Sequence, residues 1–482
     1  MPQYPPMQIP TRLPLVVSTS NRDSSDKKDA RLVNCYIETD KATGELTIRK
    51  RPGLADQGNP PATTAAGLGV YFWNGAIYSI FDSVLYKDGV SVATGLSVMG
   101  GLYSFSQLRG GNPKLLMQNG SAAYTYDDTH GLSATLHSIN ASYPEFTTPG
   151  WAYLGGAEYV MQNFFGTAPT AATIWGSVVD SVDQPGDWDP LDFITAQIEP
   201  DNGVVLAKQL VYVIAIKQWS TEVFFDAGNP VGSPLAPVLG SKQSYGCVNA
   251  DSLQRIDDVL FWASTNEAAQ VQVVMMARLA ITVISTPAID RLLEKYTVSE
   301  ITMYSWQIKV DGHSFYVLTV KGLNITLAYD ITEGRWHQWT DSNGDYFPIV
   351  YSTYNERGKH ILQHESNGHL YYCSSSYFKD GPTEPIQLDI YTPPFDANTR
   401  RRKQCSNLEI VGDQQEGSLL QVRWTDDDYQ TWTNFRTAHL GQKRPIMPDL
   451  GTFVKRAFNF RHTQDLPFRI SAIELQYDLG TL

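Results

Sequence analysis

The sequence predicts an all-β fold: a β-propeller of six or seven blades, with a small helical insertion and an additional C-terminal β domain. Three observations carry that prediction. Aromatic residues make up 12% of the chain, and 37 Gly and 27 Pro punctuate it, while helical periods are few. Short β-branched and aromatic runs recur in pairs across turn residues. The pairs also return at intervals. With Ile77, Leu115, Tyr159, Tyr212, Leu260, Tyr316 and Ile361 as markers, the spacing is roughly 38 to 56 residues, against about 40–50 for a four-stranded blade.

The clearest stretch is Ser314 to Trp339, which reads as three consecutive strands. Phe315 to Val320 is β-branched and aromatic. Asn324 to Tyr329 alternates Asn324, Thr326 and Ala328 against Ile325, Leu327 and Tyr329, as a half-buried strand does. A third run closes on Trp336 and Trp339. A few strands alone are marginal in water, so others must cover these faces.

In chain order, residues 1–60 read as a Pro-rich, then polar arm followed by a hairpin, Arg31–Ile37 with Leu46–Arg49, ended by Arg51-Pro52-Gly53. Residues 61–392 carry the propeller. Its pairs include Ile77 with Ser83–Tyr86, Lys114–Met117 with Ala122–Tyr126 through Asn119-Gly120, and Ala157–Met161 with Thr173–Trp175. Leu210–Ile216 with Glu222–Phe225, Val259–Trp262 with Val271–Met275, and His360–Gln363 with His369–Cys373 follow. The helical insertion is expected near 287–306. Ile289, Leu292, Leu293 and Tyr296 share one helical face, and Thr297–Glu300 has capping-box spacing for a second short helix toward Trp306. Pro393-Pro394 and the basic run Arg400–Lys403 open the C-terminal β domain, 393–482. Its expected strands are 407–411, 419–424, 432–437, 456–461 and 470–477.

A formal charge of −13, from 37 basic and 50 acidic residues, argues against a nucleic-acid grip. Cys35, Cys247, Cys373 and Cys405 have neither zinc nor disulfide-framework spacing and are expected to be free thiols. No apolar run reaches the roughly 18 residues that a membrane helix needs. The N-terminus lacks the pattern of a secretory signal. A soluble protein made in a cytoplasm is the expectation, with Asn140 and Asn324 as chance glycosylation matches.

No catalytic, cofactor or metal residue identifies itself. Asp187 with Asp189 and Asp257 with Asp258 are the nearest carboxylate pairs for glycosidase chemistry, and both read better as turn residues. His360, His364 and His369 are close in sequence but on strands and a turn that divert them. Thr425 to Trp432, TDDDYQTW, resembles the Asp-box of sialidases with Tyr429 in place of its glycine. In that family the box is a hairpin brace outside the active site. The Asp426–Asp428 loop lacks the rest of a calcium motif, and phosphate loops, GxSxG and HExxH are missing from the sequence.

Three passages resemble the packaged-DNA stabilisation proteins, the tail hub or nozzle family of short-tailed phages. They are RLVNCYIETDKATGELTIRKRPGL, then QIEPDNGV followed by STEVFF, and AIDRLLEKYT followed by DGHS. The resemblance implies a homo-hexameric ring in the virion tail, assembled in the host cytoplasm, beneath the portal and its adaptor ring. Its implied partners are those rings and needle, tailspike or fibre proteins, with dsDNA passing through the channel without specific binding. No membrane partner or cofactor is expected. A carbohydrate-active propeller is the rival reading. A third is a glycan-binding module using exposed Trp188, Trp336 and Trp339.

Overall fold

In the computed structural model, residues 10–15, 30–58, 64–162, 172–294 and 302–480 are described. Seven antiparallel four-stranded units follow one another, which is a seven-bladed propeller. Blades 1 to 6 span 67–94, 104–132, 152–196, 203–237, 254–283 and 303–339. Each of the seven sequence markers falls in the second strand of its own blade. Those strands are buried on both faces, so they are the most apolar segments of the chain.

Blade 7 takes three strands from 349–374 and its fourth, Gly53–Asp56, from the other end of the chain. This pairing ties the ring shut. Gly53 is required there, because a Cβ would strike the Lys379 and Tyr377 carbonyls. Between blades the sheets pack face to face. Blades 5 and 6, for instance, share a core of Phe261, Val273, Leu318, Leu327 and Trp336.

Residues 1–60, set apart in the sequence, supply strands to two structures. Cys35–Thr39 and Leu46–Lys50 form the expected hairpin and join Arg469–Leu479, Lys403–Gly412 and Ile446–Phe453 in one sheet. Arg31–Val33 runs parallel to the last strand of blade 6, at Val33 opposite Gln338, and antiparallel to Leu388–Tyr391. That second sheet continues through Ala457–His462, Leu419–Thr425 and Arg436–His439. The two sheets sandwich one core built from both chain ends, including Leu32, Ile37, Leu408, Phe458 and Ile473. Asn34, at φ 56°, makes the kink that sends the chain from one sheet to the other.

Two sequence expectations need correction. Pro287–Leu293 is a helix, capped by Thr286, whose Ile289, Leu292 and Leu293 are buried between blades 5 and 6. Tyr296 and the capping-box residues Thr297–Glu300 lie outside the described residues. The second helix toward Trp306 is displaced by a strand, Met303–Val310, paired residue by residue with His313–Val320. Eight cross-strand pairs and a buried Trp306 outweigh a local capping signal. Likewise the strand expected at 432–437 is Arg436–His439, because Trp432 folds back to pack on Tyr429 and Arg423.

Candidate functional site

Two of the passages that carry the family resemblance build separate buried polar clusters. Asn34 from the first passage donates its side-chain amide to Thr340 Oγ1 and the Gln387 carbonyl, both at 2.8 Å. Its Oδ1 accepts from Arg51 Nε and the Thr340 amide, again at 2.8 Å. Arg51 is fully buried, paired with Asp380, donating to the Thr340 carbonyl at 3.2 Å, and stacked 4.4 Å over Phe347. One Asn and one Arg thus clasp the N-terminal segment, blade 6, blade 7 and the start of the sandwich sheet. Pro52-Gly53 follows directly, which is why this motif sits beside the ring closure.

The second passage folds into blade 4. Asp201 accepts from the amides of Trp219 and Ser220 at 2.7 and 3.0 Å. Glu222 accepts from the Ile198 amide at 3.1 Å. Lys217 lies between the two carboxylates, 2.8 Å from Asp201 and 2.6 Å from Glu222, with all three side chains inaccessible or nearly so. It also donates to the Glu199 carbonyl at 2.7 Å. The sequence reading missed Lys217. The available signal was a lysine ending the apolar run VYVIAIK, where only a buried partner makes the charge tolerable.

The carboxylates singled out for chemistry are turn braces. Asp187 accepts from Ser181 Oγ at 2.6 Å and the Gln184 amide at 2.7 Å, and Asp189 from the Leu191 amide at 2.8 Å. Asp257 pairs with Lys309, and Asp258 lies 3.5 Å from Arg255. His360 Nε2 accepts from the Lys309 amide, His364 Nδ1 from the Ser366 amide, and His369 Nδ1 meets Asp56. The three imidazoles therefore serve separate turns, and the described residues hold no cluster able to bind a metal ion.

Asp427 braces its hairpin as the Asp-box resemblance implied. It accepts from the Gln430 and Thr431 amides at 3.1 and 2.9 Å, and these bonds with the Thr431 and Thr425 hydroxyls hold its carboxyl well below the usual range. Tyr429 occupies the glycine position in a left-handed conformation, φ 68°, and its hydroxyl donates to the Thr392 carbonyl at 2.6 Å. The basic run is not a free patch. Lys403 is buried and donates to the Thr399, Arg401 and Val454 carbonyls. All four cysteines are free.

Trp188, Trp336 and Trp339 are buried, not exposed. Trp188 Nε1 donates to the Val182 carbonyl and Trp336 Nε1 to the Ile284 carbonyl, each at 2.8 Å. A surface glycan platform built on them is excluded by their packing, because interblade cores need their bulk.

Two arrangements had no sequence signal. In the sandwich, Ser418 Oγ lies 3.0 Å from His462 Nε2, and His462 Nδ1 lies 3.2 Å from Lys50 Nζ. Burial pushes Lys50 down to about 7 and His462 down to about 3. While the ammonium donates to Nδ1, the ring proton sits on Nε2 and points at Ser418. The imidazole then has no lone pair to accept the serine proton, so this chain is not a hydrolytic triad. Between blades 2 and 3, Glu158 accepts from Ser106 Oγ at 2.6 Å while its Oε2 is buried without a hydrogen-bond partner. Burial raises its carboxyl to about 8 and that of Asp251 to about 7.

The fold defines the class: a seven-bladed propeller whose N-terminal segment closes the ring and whose two chain ends build a sandwich beside it. The chain belongs to the packaged-DNA stabilisation, or tail hub, family of short-tailed bacteriophages. The family model described as "Bacteriophage P22 Gp10, beta-propeller" matches residues 11–376. The protein is thus a phage tail component. No curated protein matches the sequence.

Solved structures give distant likenesses. Streptogramin B lyase has 8% identity and a TM-score of 0.39, with 66% of this chain and 96% of that one covered. YCF48 from Cyanidioschyzon merolae has 10% identity and a TM-score of 0.34, covering 66% and 98%. An exo-beta-1,3-galactanase from Phanerochaete chrysosporium has 10% identity and a TM-score of 0.27, covering 74% and 99%. At such scores none of the three bears on function.

Proposed function

We propose that this chain is a tail hub subunit that assembles into a hexameric ring below the portal and its adaptor ring, continues the DNA channel and helps retain packaged DNA. The ring docks needle, tailspike or fibre proteins, and assembly takes place in the host cytoplasm. The observation that carries the reading is the family match across the whole propeller. Charge supports the channel role. Six copies of a −13 chain carry about −78, and an acidic lumen gives DNA no counterion-release binding. Lumen-facing acids let the duplex slide.

The outer strand of blade 3, Trp188–Ala196, suits the subunit contact. It is a nine-residue sheet edge, with Leu191 and Phe193 72% and 42% exposed. Val231 of blade 4, 88% exposed, stands close by, since the adjacent Gly232 abuts the Leu191 carbonyl. A heterologous contact of this kind closes a ring when the rotation per subunit matches. Light scattering and negative-stain imaging with and without an adaptor ring test the proposal. Hexamers are expected with the adaptor, and their loss in a Leu191→Asp, Phe193→Asp double variant that stays folded. Persistent monomers of the wild type would overturn it. Clearing of host polysaccharide in a zymogram would favour the rival, a depolymerase.

A further inference from the structure

The seven inner strands run in the same direction, so their C-terminal ends meet at one mouth of the propeller axis. Lys208 of blade 4, Arg255 of blade 5, Gln307 of blade 6 and Tyr354 of blade 7 come from these ends. The last three line a cavity of about 580 Å³ together with Asp257, Lys309 and His360, a volume in the range of small-ligand sites. Charge at this mouth is not cancelled. Lys309 has Asp257 and Arg255 has Asp258. Lys208 has no ion-pair partner among the described residues and lies 5.4 Å over the Tyr153 ring. Burial raises the carboxyl of Glu158, which acts on Lys208 through charge, to about 8, so it offsets little of that charge at neutral pH.

We propose that this mouth binds an anionic saccharide, its acid group against Lys208 and Arg255 and its sugar ring against Tyr354. Lys208, half-buried and without an ion-pair partner among the described residues, selects an anion, and Arg255, exposed beside Asp258, offers a second donor. Tyr354 is 58% exposed and offers a flat apolar face, and Gln307 offers a neutral polar side chain for hydroxyls. Asp257 and Asp258 flank the same mouth and repel a polyanion, so a single negative charge fits where DNA or a phosphate chain does not.

Saturation-transfer NMR on the full chain with glucuronic acid, glucose and inorganic phosphate tests this. Glucuronic acid is expected to bind roughly tenfold or more tightly than glucose, and Lys208→Met to lose a similar factor, the scale of one charge-assisted hydrogen bond. Lys208→Arg should retain binding. Tyr354→Ala should weaken glucuronic acid without changing phosphate. Arg255→Gln replaces Lys208→Met as the test if the latter does not fold, with the same loss expected. Equal binding of glucose and glucuronic acid would overturn the proposal. So would phosphate binding as tight as glucuronic acid, or unchanged affinity in a folded charge variant.

Discussion

Blade 4 and the axial mouth treat charge in opposite ways. In blade 4, Lys217 is sealed between Asp201 and Glu222, and the carboxylates spend their remaining acceptor capacity on amides of the same turns. At the mouth, among the described residues, Lys208 is half-buried with no carboxylate in ion-pair contact, and Glu158 is buried with no cation in ion-pair contact. The first arrangement is complete in itself and can only hold a shape. The second has unspent electrostatics, which an external group can satisfy. Charge completeness therefore separates the parts of this propeller that fix geometry from the part open to a ligand.

Breaking the complete set should cost most. Lys217→Met leaves two buried carboxylates without their cation, and the expected loss is about 3–5 kcal/mol in urea unfolding. A smaller loss would mean that water reaches the triad. Arg51→Met removes the clasp partner of Asn34 and Asp380. Its guanidinium is replaced by an apolar group of similar length, so the expected loss is about 3 kcal/mol. Because Gly53–Asp56 follows at once, limited proteolysis should cut first near residues 53–58. Cleavage elsewhere would show that ring closure does not depend on the clasp.

What the sequence made legible follows the same physical divide. Second strands such as Leu115–Met117 and Phe315–Val320 are apolar on both faces, so they stand out and bring the count to six or seven blades, which the closing strand Gly53–Asp56 resolves as seven. Inner and outer strands are half wet. Ser104–Leu108 and Val90–Thr94 mix polar and apolar residues without a clean period, and neither was identified. Ile446–Phe453 contains Pro448 and Gly451 and reads as turn, yet it is the edge strand of a sandwich sheet, where a missing amide is tolerated. Pairings between segments distant in sequence, as at Val33 with Gln338, leave no local trace. The same holds for the mouth: Tyr354, Lys208 and Arg255 are far apart in sequence and reach one end of the propeller only because the blades converge.

A sharper test of the comparison uses pH. The folded carboxyl of Glu158 titrates at about 8, above its ordinary value of 4.5. Below about 4.5 both folded and unfolded chains hold this proton and pH has no effect through it. Between the two values the unfolded chain ionises while the folded chain stays protonated, so the native state binds more protons and stability falls as pH rises. Glu158→Gln removes that dependence. Relative to wild type it should gain stability steadily from pH 5 to 8, on the order of a few kcal/mol at the upper end. Equal pH slopes for the two proteins would show that Glu158 is ionised and paired in the fold.

The smallest effect is expected in the Asp-box-like hairpin, where the brace is redundant. Asp427 holds the turn through two amides and two hydroxyls, whereas Tyr429 adds one hydroxyl bond to the Thr392 carbonyl. Tyr429→Phe keeps the ring on Trp432 and the left-handed backbone, and deletes only that bond. The Thr392 carbonyl is then left buried with one partner fewer, at a cost of about 1 kcal/mol. Asp427→Ala should cost more, because several donors lose their acceptor together. If the order is reversed in urea unfolding, the tyrosine anchor carries this hairpin. The substitution of the family glycine would then be what fixes it to the sandwich.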